Sequence, residues 1–387
     1  MIVTIAVSNY RSINTLRLGL GPLNVITGPN GSGKSNLYRA LRLLAEIAQG
    51  GIVNALAREG GMGSAIWAGP EEITARMRSG EVPVEGSARR RKSVRLQLGF
   101  AGEDLGYAVT LGYPAPSTSA FSLDPVIKQE RIWSGPFLRP ASTLVERDGA
   151  MVRVRNGRGW DIAASNLDLF ESMLSRVSGL ASGPEIMAVR DTLRSWRFYD
   201  HFRTDAAAPA RTPQLGTRTP VLHHDGRDLG AALQTIIEIG DAGALHAAIA
   251  DAFPGAHLAM EAAPDGRFGV RLEQHGLLRA LSAAELSDGT LRYLLLTAAL
   301  LSPRPPVLMV LNEPETSLHP DLLPALARLV INASRSSQVW VISHSSRLVA
   351  ALSEHPQCHT VVLEKTFGET CVAGQAPLDQ PAWYWPE

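Results

Sequence analysis

The octapeptide Gly28-Pro29-Asn30-Gly31-Ser32-Gly33-Lys34-Ser35 decides the fold of this 387-residue chain. It fits the phosphate-binding loop pattern G-x-x-x-x-G-K-[ST]. The apolar run before it, residues 23–27, predicts a short buried strand, and residues 36–47 carry apolar side chains at helical spacing. A glycine-rich turn between a strand and a helix presents backbone N–H groups to an anion. The stretch therefore predicts a nucleotide-binding loop in an α/β fold.

The polar groups of this loop have distinct predicted roles. The backbone and the helix N-terminus would contact the nucleotide phosphates, Lys34 would reach the β and γ oxygens, and the hydroxyl of Ser35 would bind Mg²⁺. Because arginine supplies most cations of this chain, a lysine where a compact ammonium is needed supports this interpretation. The alternative is a glycine-rich turn before a core helix. The predicted contact residues are Pro29, Asn30, Gly31, Ser32, Gly33, Lys34, Ser35 and Asn36.

The overall composition narrows the class of protein. A hydrophobic content of 45% allows a sizeable core, and a formal net charge of zero provides no global field that would attract nucleic acid or acidic membranes. The two cysteines, Cys358 and Cys371, are too few for a disulfide framework. Neither a signal peptide nor a membrane span is recognisable, so we expect a cytoplasmic protein without membrane contact.

The pattern along the chain predicts three segments. Residues 1–165 are expected to form an N-terminal lobe with the phosphate loop and an antiparallel β subdomain, because alternating runs separated by turn residues are typical of hairpins. Residues 166–285 are expected to form a helical insert with connecting loops, since the period becomes helical, notably over 167–202. In residues 286–387 strands alternate with helices, which predicts a C-terminal lobe with a wound parallel sheet.

A second apolar run, residues 307–311, ends in Asn312-Glu313-Pro314-Glu315. This pattern is typical of a Walker B strand, which delivers a carboxylate at the carboxyl edge of an α/β sheet, where ligands bind. The alternative is a core strand followed by acidic loop residues. Beside a phosphate-binding loop, the pattern favours the Walker B interpretation.

Two further stretches carry polar groups at the ends of predicted elements. Leu286-Ser287-Asp288-Gly289-Thr290 opens a helix, and a helix N-terminus suits an anion, although an ordinary serine N-cap is the alternative. The apolar run 339–342 predicts a strand whose end presents His344, a position where a structural histidine is the alternative. The order of the motifs along the chain favours one composite nucleotide site.

These motifs together resemble the ABC-type ATPase heads of the RecF, SMC and Rad50 group, and most closely the predicted ATPases of the AbiEii/OLD-like AAA domain family. The stretches that carry the resemblance are residues 9–12, 28–36, 286–292, 312–320 and 342–347, and residues 198–204 and 223–233 add to it with less specific motifs. The resemblance implies a P-loop NTPase of the ABC-ATPase head type, with an antiparallel β subdomain and a helical insert.

The resemblance also implies the chemistry of the site. ATP and Mg²⁺ are the expected cofactors. A homodimer is expected, because Ser287 and Gly289 resemble the signature residues that grip ATP held by the opposite subunit. Glu313 resembles the carboxylate that polarises the attacking water, and His344 resembles the switch histidine at the γ-phosphate. With Lys34, these two are the predicted catalytic residues.

Other positions follow from the same resemblance. Arg11 and Ser12 are expected near the nucleotide, and residues 317–320 occupy the D-loop position that senses the partner subunit. Ser35 and Asn312 are the expected metal positions. Asn312 stands where the family usually has aspartate, which removes a negative charge near Mg²⁺. The Q-loop glutamine is not placed, since Gln129 falls in a predicted strand.

The biological output is inferred from the resemblance alone. It implies an ATPase that drives or gates DNA maintenance or phage defence, with DNA and a separately encoded nuclease or toxin as candidate partners. The alternative is a slow or non-hydrolysing nucleotide-gated module that binds and regulates a partner effector. Asn312 keeps this alternative open.

Four weaker patterns are interpreted as structural. His223-His224-Asp225 precedes a glycine and predicts a turn rather than a metal site. A cluster near the C-terminus lacks paired zinc-ligand spacing, so we expect packing of His355, Cys358, His359 and Cys371. The basic run 89–92 is expected to be a solvated loop rather than a nucleic-acid contact, and the aromatic tail 383–385 is expected to fold onto the body.

Overall fold

The computed structural model of the protein describes residues 1–71, 73–83, 94–177 and 183–386. The strands of these residues are, in chain order, β1 (Ile2–Tyr10), β2 (Ile13–Gly19), β3 (Leu23–Thr27), β4 (Leu96–Gly102), β5 (Leu105–Gly112), β6 (Val126–Ser134), β7 (Thr143–Asp148), β8 (Met151–Asn156), β9 (Gly159–Ala164), β10 (Arg197–Tyr199), β11 (Gln214–Leu215), β12 (His257–Ala262), β13 (Arg267–Glu273), β14 (Leu281–Ser282), β15 (Leu308–Asn312), β16 (Gln338–Ile342), β17 (Cys358–Thr366) and β18 (Glu369–Val372). The helices are α1 (Lys34–Ile47), α2 (Ile52–Arg58), α3 (Met62–Ala65), α4 (Ala75–Arg78), α5 (Met173–Arg176), α6 (Pro184–Ser195), α7 (Leu229–Ile239), α8 (Ala242–Ala252), α9 (Asp288–Leu300), α10 (Leu323–Ala333) and α11 (Ser346–Ser353).

The chain forms two compact units, and each unit collects segments that are distant in sequence. The first unit comprises Met1–Gly21, Gly28–Ser195 and Val361–Glu387, and the second comprises Pro22–Thr27 and Trp196–Thr360. The phosphate loop belongs to the first unit, whereas the signature, Walker B and histidine motifs belong to the second. The three-part division of the sequence, with boundaries at 165 and 285, stays a prediction.

An eight-stranded antiparallel sheet dominates the first unit, in the order β2-β1-β4-β5-β6-β7-β8-β9. The antiparallel subdomain predicted from the alternating runs is confirmed. The sequence did not indicate β7, because this strand carries Arg147 where an alternating pattern would place an apolar residue. Arg147 is fully buried and pairs with the equally buried Glu130. Because a buried ion pair replaces apolar residues here, the hydrophobic pattern does not indicate the strand.

Four parallel strands of the second unit pair in the order β10-β15-β16-β3. The register pairs near one edge are Tyr199 with Leu311, Asn312 with Ile342, and Val341 with Val25. The predicted wound parallel sheet is confirmed. The predicted helix over 167–202 is wrong at its end, because residues 197–199 form strand β10. A run this short has no period of its own, so pairing with β15 decides its conformation.

Helix α9 lies in the core of the second unit. Residues 291–300 are all buried, and most of them are apolar, as expected for a helix that is surrounded on every side. The helix contacts α7, α8 and α10. A small sheet with the order β11-β13-β12, extended by β14, contacts α7 through β13. The signature residues at the start of α9 are therefore fixed to a buried helix.

Three remaining predictions concern the tail, the basic run and the membrane. The aromatic tail folds onto the first unit as predicted: Trp383 is 5% exposed, and the centroid of its ring lies 5.6 Å from that of Trp133. The basic run 89–92 lies outside the described residues. No helix in the described parts of the chain is long and apolar enough to cross a membrane.

Candidate nucleotide-binding site

The phosphate loop follows β3 and opens α1. Gly33 is the N-cap residue of α1 and has a φ of 107°, a left-handed conformation that residues with a side chain rarely adopt. A Cβ atom at Gly33 would lie 2.0 Å from the Oγ1 atom of Thr370. Backbone geometry and space therefore both require glycine. Residues 29–31 are exposed, so the backbone of the loop is accessible to a ligand.

The ammonium group of Lys34 lies inside the loop. Lys34 is 4% exposed, and its Nζ donates to the carbonyl oxygens of Gly28 at 2.7 Å and Pro29 at 2.9 Å. A phosphate would offer this cation a charged acceptor, which forms a stronger hydrogen bond than a carbonyl. Ser35 is exposed in the first turn of α1. Both residues lie where the motif requires them, and their contacts with nucleotide and Mg²⁺ stay predictions.

A chain of hydrogen bonds connects the loop to β18. Asn36 Nδ2 donates to Ser12 Oγ at 2.7 Å, and Ser12 Oγ lies 2.7 Å from Thr370 Oγ1. Thr370 Oγ1 in turn donates to the carbonyl oxygen of Ser32 at 3.0 Å. The structure thus brings together three predicted contact residues. Sequence reasoning missed the fully buried Thr370, because a lone threonine 338 positions after Ser32 carries no local signal.

Arg11 forms an ion pair with Glu59. The Oε2 atom of Glu59 accepts hydrogen bonds from Arg11 Nε at 3.2 Å, from Arg11 Nη2 at 2.9 Å and from the Tyr10 hydroxyl at 2.6 Å. Burial, reinforced by Glu59, raises the pKa of Tyr10 above its usual value, so this hydroxyl remains a donor. The sequence did not indicate Glu59 as a partner. The contact of Arg11 with nucleotide stays a prediction.

Glu313, the predicted catalytic carboxylate, has a strained backbone. Its φ of 48° is uncommon for a residue with a side chain and costs energy that the surroundings must offset. Two hydrogen bonds hold this conformation: Glu313 donates its N–H to the carbonyl of Ile342 at 2.8 Å, and its own carbonyl accepts from Arg292 Nη2 at 3.0 Å. Strands β15 and β16 and helix α9 therefore position Glu313 together.

His344 lies beside Glu313, and its predicted contact with the γ-phosphate stays a prediction. Its Nε2 atom is 3.3 Å from Glu313 Oε1. The loop that carries His344 is fixed by Glu315, whose Oε1 accepts from Ser343 Oγ at 2.7 Å, from the His344 N–H at 2.9 Å and from the Ser345 N–H at 3.1 Å. Glu315 was part of the quoted motif but had no predicted role. The structure makes it the residue that positions His344.

Asn312 pairs with a residue that sequence reasoning did not include in the site. Its Nδ2 donates to Oδ1 of Asp200 at 2.6 Å. Asp200 directly follows β10, the strand that the sequence pattern had assigned to a helix. The sequence pattern therefore missed strand β10 and the contact of Asp200 with Asn312 for the same reason. The predicted role of Asn312 at the metal stays a prediction.

Arg292 is a buried cation near these carboxylates. It is 2% exposed, and burial lowers the pKa of its guanidinium, while the charges of Glu315, Asp200 and Glu313 oppose that effect. Arginine nevertheless stays protonated in proteins. Three carboxylates near one guanidinium leave an excess of negative charge at this edge of the sheet. Such an edge can accept a cation.

The signature residues line an open groove at the start of α9. Ser287 is the N-cap, and its Oγ accepts from the N–H of Thr290 at 3.1 Å, so the serine N-cap alternative is realised in the structure. A Cβ atom at Gly289 would lie 2.9 Å from the carbonyl oxygen of Ser317, which explains the glycine. The groove has a volume of about 630 Å³. A helix N-terminus that faces such a space suits an anion, so the two interpretations are compatible.

The His223-His224-Asp225 group has the geometry of a turn. His223 Nδ1 lies 2.7 Å from Asp225 Oδ1, and the guanidinium of Arg227 lies 3.2 Å from His223 Nε2. Asp225 Oδ1 also accepts from the N–H of Arg227 at 3.1 Å. Both ring nitrogens of His223 have partners, and one partner is a cation. These contacts support the predicted turn.

Comparisons with known proteins identify the fold. The solved structure of "SmcHead bound to the C-winged helix domain of ScpA" shares 14% identity and a TM-score of 0.50 over 96% of this chain and 97% of that chain. The Smc head domain "with a coiled coil and joint derived from Pyrococcus yayanosii" shares 11% identity and a TM-score of 0.50, over 98% of each chain. No curated protein matches this chain.

The likeness to SMC heads confirms the predicted P-loop NTPase fold of the ABC-ATPase head type. At these identities it shows the fold alone. A sequence model of one family matches residues 23–350, a range that includes the phosphate loop, the signature, the Walker B strand and His344. The chain therefore belongs to the family described as "AAA domain, putative AbiEii toxin, Type IV TA system".

Proposed function

We propose that the protein is an ABC-type ATPase that binds ATP with Mg²⁺, dimerises around the nucleotide and hydrolyses it. The contact between Glu313 and His344 carries this proposal. The two side chains meet at the ends of neighbouring parallel strands, and both remain partly exposed, at 46% and 38% respectively. Family membership supports ATPase chemistry in general.

The residues of the chain divide the work of phosphoryl transfer. Glu313 would orient the attacking water and accept its proton, while His344 would hold the carboxylate of Glu313 and the γ-phosphate in register. Lys34 would exchange the carbonyls of Gly28 and Pro29 for phosphate oxygens. The backbone of the loop would hold the phosphates by its N–H groups.

The predicted metal positions carry donor atoms of a type that suits magnesium. Mg²⁺ takes oxygen ligands, and the hydroxyl of Ser35 and the side-chain oxygen of Asn312 are each of this kind. When bound, Mg²⁺ would neutralise charge that develops on the phosphate oxygens. The excess of carboxylates near Asn312 supports a cation at this edge of the sheet.

The open groove at Ser287 and Gly289 supports dimerisation. Both residues lie at an accessible helix N-terminus, next to the D-loop residues 317–320. We expect the γ-phosphate held by a second copy to bind there, because the helix dipole and free N–H groups favour an anion. Each site would then need two chains, and hydrolysis would depend on dimer formation.

Glu313→Gln tests the enzymatic proposal. The variant should bind ATP as wild type does, while turnover falls at least about 100-fold, as expected for the loss of a general base. Light scattering with ATP and Mg²⁺ should show a dimer that persists. Lys34→Ala is the matched control and should neither bind ATP nor dimerise. Wild-type turnover by Glu313→Gln would remove Glu313 from its role.

The second candidate function is a nucleotide-gated module with slow or no hydrolysis that binds and regulates a partner effector. Asn312 favours it, because an amide replaces a carboxylate beside the catalytic residue. Turnover with and without DNA separates the two candidates. Robust, DNA-stimulated hydrolysis supports the ATPase, and tight ATP binding with negligible turnover supports the module.

The biological role is part of the proposal. We propose a cytoplasmic ATPase that acts in DNA maintenance or phage defence, with DNA and a separately encoded nuclease or toxin as partners. The family description names a putative toxin of a toxin–antitoxin system, and one SMC head of the same fold was solved bound to a domain of ScpA. Both support an ATPase head that works with another protein.

A further inference from the structure

We propose that Asp200, at the end of β10, supplies the metal-binding carboxylate that the Walker B strand of this chain lacks. The inference rests on the proposed function, because it concerns the Mg²⁺ that accompanies ATP. It assigns the role to a residue more than a hundred positions away from the Walker B motif, directly after a strand that the sequence pattern did not reveal.

The register of the sheet places Asp200 beside Asn312. Strand β10 pairs in parallel with β15, and Tyr199 lies opposite Leu311. Asp200 directly follows Tyr199 and Asn312 directly follows Leu311, so both lie at the carboxyl edge of the sheet. This edge is where α/β folds bind ligands. The Asp200 carboxylate is thus one strand away from the position that Asn312 occupies.

The hydrogen bond between the two side chains leaves binding capacity at Asp200. Asn312 Nδ2 donates to Asp200 Oδ1 at 2.6 Å. In the described part of the chain, the Oδ2 atom of Asp200 has neither a hydrogen bond nor an ion pair, and Asp200 is exposed. The Nδ2 atom of Asn312 makes this hydrogen bond, so the Oδ1 atom of the same amide takes no part in it. The pair therefore offers one carboxylate and one amide oxygen, both ligands that Mg²⁺ accepts.

The charge balance supports a cation rather than a closed salt bridge. Arg292 is the buried cation near Asp200, Glu313 and Glu315, and its Nη2 donates to the carbonyl of Glu313. Among the described residues, Asp200 acts on Arg292 only through its charge and forms no ion pair with it. One guanidinium near three carboxylates leaves negative charge that a divalent ion would offset.

Asp200→Asn isolates the charge of this residue. The new amide keeps an oxygen that can accept from Asn312 Nδ2, so the hydrogen bond survives while the carboxylate is lost. We would measure Mn²⁺ binding by electron paramagnetic resonance in the presence of a non-hydrolysable ATP analogue. The apparent dissociation constant of Mn²⁺ should rise about 10- to 100-fold, the range found when groups that support a metal site are removed. Asp104→Asn, in the exposed turn after β4, is the matched control and should bind Mn²⁺ as wild type does.

A second experiment moves the carboxylate from position 200 to position 312. The double variant Asp200→Asn/Asn312→Asp exchanges the two side chains and should restore wild-type Mn²⁺ affinity. In the Asn312→Asp background, replacing Asp200 should therefore have little effect. This arm remains decisive if Asp200→Asn alone folds poorly, because the exchange retains both the hydrogen bond and one carboxylate.

The outcomes separate the inference from the proposed function. Unchanged Mn²⁺ affinity in Asp200→Asn, with metal-dependent nucleotide binding by the wild type, overturns the inference and leaves the ATPase proposal intact. A double variant that binds Mn²⁺ as weakly as Asp200→Asn also overturns it, because the position of the carboxylate would then not be exchangeable. A wild-type protein that fails to bind nucleotide overturns the proposed function itself.

Discussion

The Glu130–Arg147 pair of the first unit and the Glu313–His344 contact of the second unit use similar groups in opposite ways. The side chains of Glu130 and Arg147 are 0% exposed, and Arg147 Nη1 lies 2.7 Å from Glu130 Oε2. Glu313 and His344 are partly exposed, with a longer separation of 3.3 Å. One pair is closed off inside the protein, and the other is accessible to solvent and ligands.

Each carboxylate oxygen of Glu130 accepts hydrogen bonds from two donors. Oε1 accepts from the hydroxyls of Tyr107 at 2.6 Å and Ser172 at 2.5 Å, and Oε2 accepts from the N–H of Met173 at 2.9 Å and from Arg147. Burial, together with Glu130, raises the pKa of Tyr107 well above its usual value, so Tyr107 stays a donor. A buried charge is stable only when it is paired and hydrogen-bonded in this way. The network joins strands of the sheet to the start of α5.

Fewer of the hydrogen-bonding positions around Glu313 are occupied. Glu313 has a left-handed backbone, and in the described residues its carboxylate has His344 as ion-pair partner. The neighbouring Glu315 has a buried Oε2 atom without a hydrogen-bond partner. Strain and spare hydrogen-bonding capacity are expected where a ligand completes the arrangement. The number of occupied hydrogen-bonding positions therefore separates a structural charge pair from one that still has capacity to bind a ligand.

Arg147→Ala would test the structural pair and should have the largest effect on stability. It leaves the Glu130 carboxylate buried without its cation, so the free energy of unfolding should fall by about 3–5 kcal/mol. Urea denaturation followed by circular dichroism measures this change. Arg153→Ala is the matched control, because Arg153 pairs with Glu146 but is 42% exposed, and should cost only about 0–1 kcal/mol. Equal losses for both variants would contradict the comparison.

Glu315→Ala should have an intermediate effect on stability and a large effect on function. Three donors in the loop after β16 lose their common acceptor, so the free energy of unfolding should fall by about 1–3 kcal/mol. Because His344 loses its anchor, ATP turnover should fall while ATP binding persists. Glu315→Gln keeps an acceptor oxygen, so its ATP turnover should lie between the turnover of wild type and that of Glu315→Ala. A variant Glu315→Ala with wild-type turnover would show that His344 does not need this support.

Ser287→Asp should change stability least and still abolish dimer formation. Aspartate is as good an N-cap as serine, so the free energy of unfolding should stay within about 0.5 kcal/mol of wild type. Its negative charge would repel the γ-phosphate of the second copy. Light scattering of the variant in the Glu313→Gln background, with ATP and Mg²⁺, should show monomer. An ATP-dependent dimer in that background would mean that Ser287 acts only as an N-cap.

The local motifs could be predicted because their chemistry lies in consecutive residues. The phosphate loop lies between β3 and α1 as its neighbours indicate, and β15 ends at Asn312, with Glu313 directly after it at the expected edge. His344 meets Glu313 because two adjacent apolar runs become adjacent parallel strands. In each case the period of the flanking residues determines the element, and the element determines where the polar group lies.

Other residues contact predicted site residues, and no local pattern in the sequence indicated these contacts. Asp200 follows a strand of three residues, Thr370 is a lone threonine near the C-terminus, and Glu59 follows α2. Each uses its side chain to contact a predicted site residue that is distant in sequence. Arg292 lies within an otherwise apolar helix, where its role depends on what that helix packs against. Hydrophobic period does not encode such pairings.

The sequence by itself determined the P-loop fold class of this protein, its parallel α/β core and the motifs of its family, because short motifs and periodic runs specify them locally. Only the tertiary structure decided that Glu130 and Arg147 would be sealed, that Glu313 would be strained and exposed, and that Asp200 would stand beside Asn312. The physical reason is that register and burial arise from packing between distant segments, and packing decides which polar groups are satisfied and which remain free to bind.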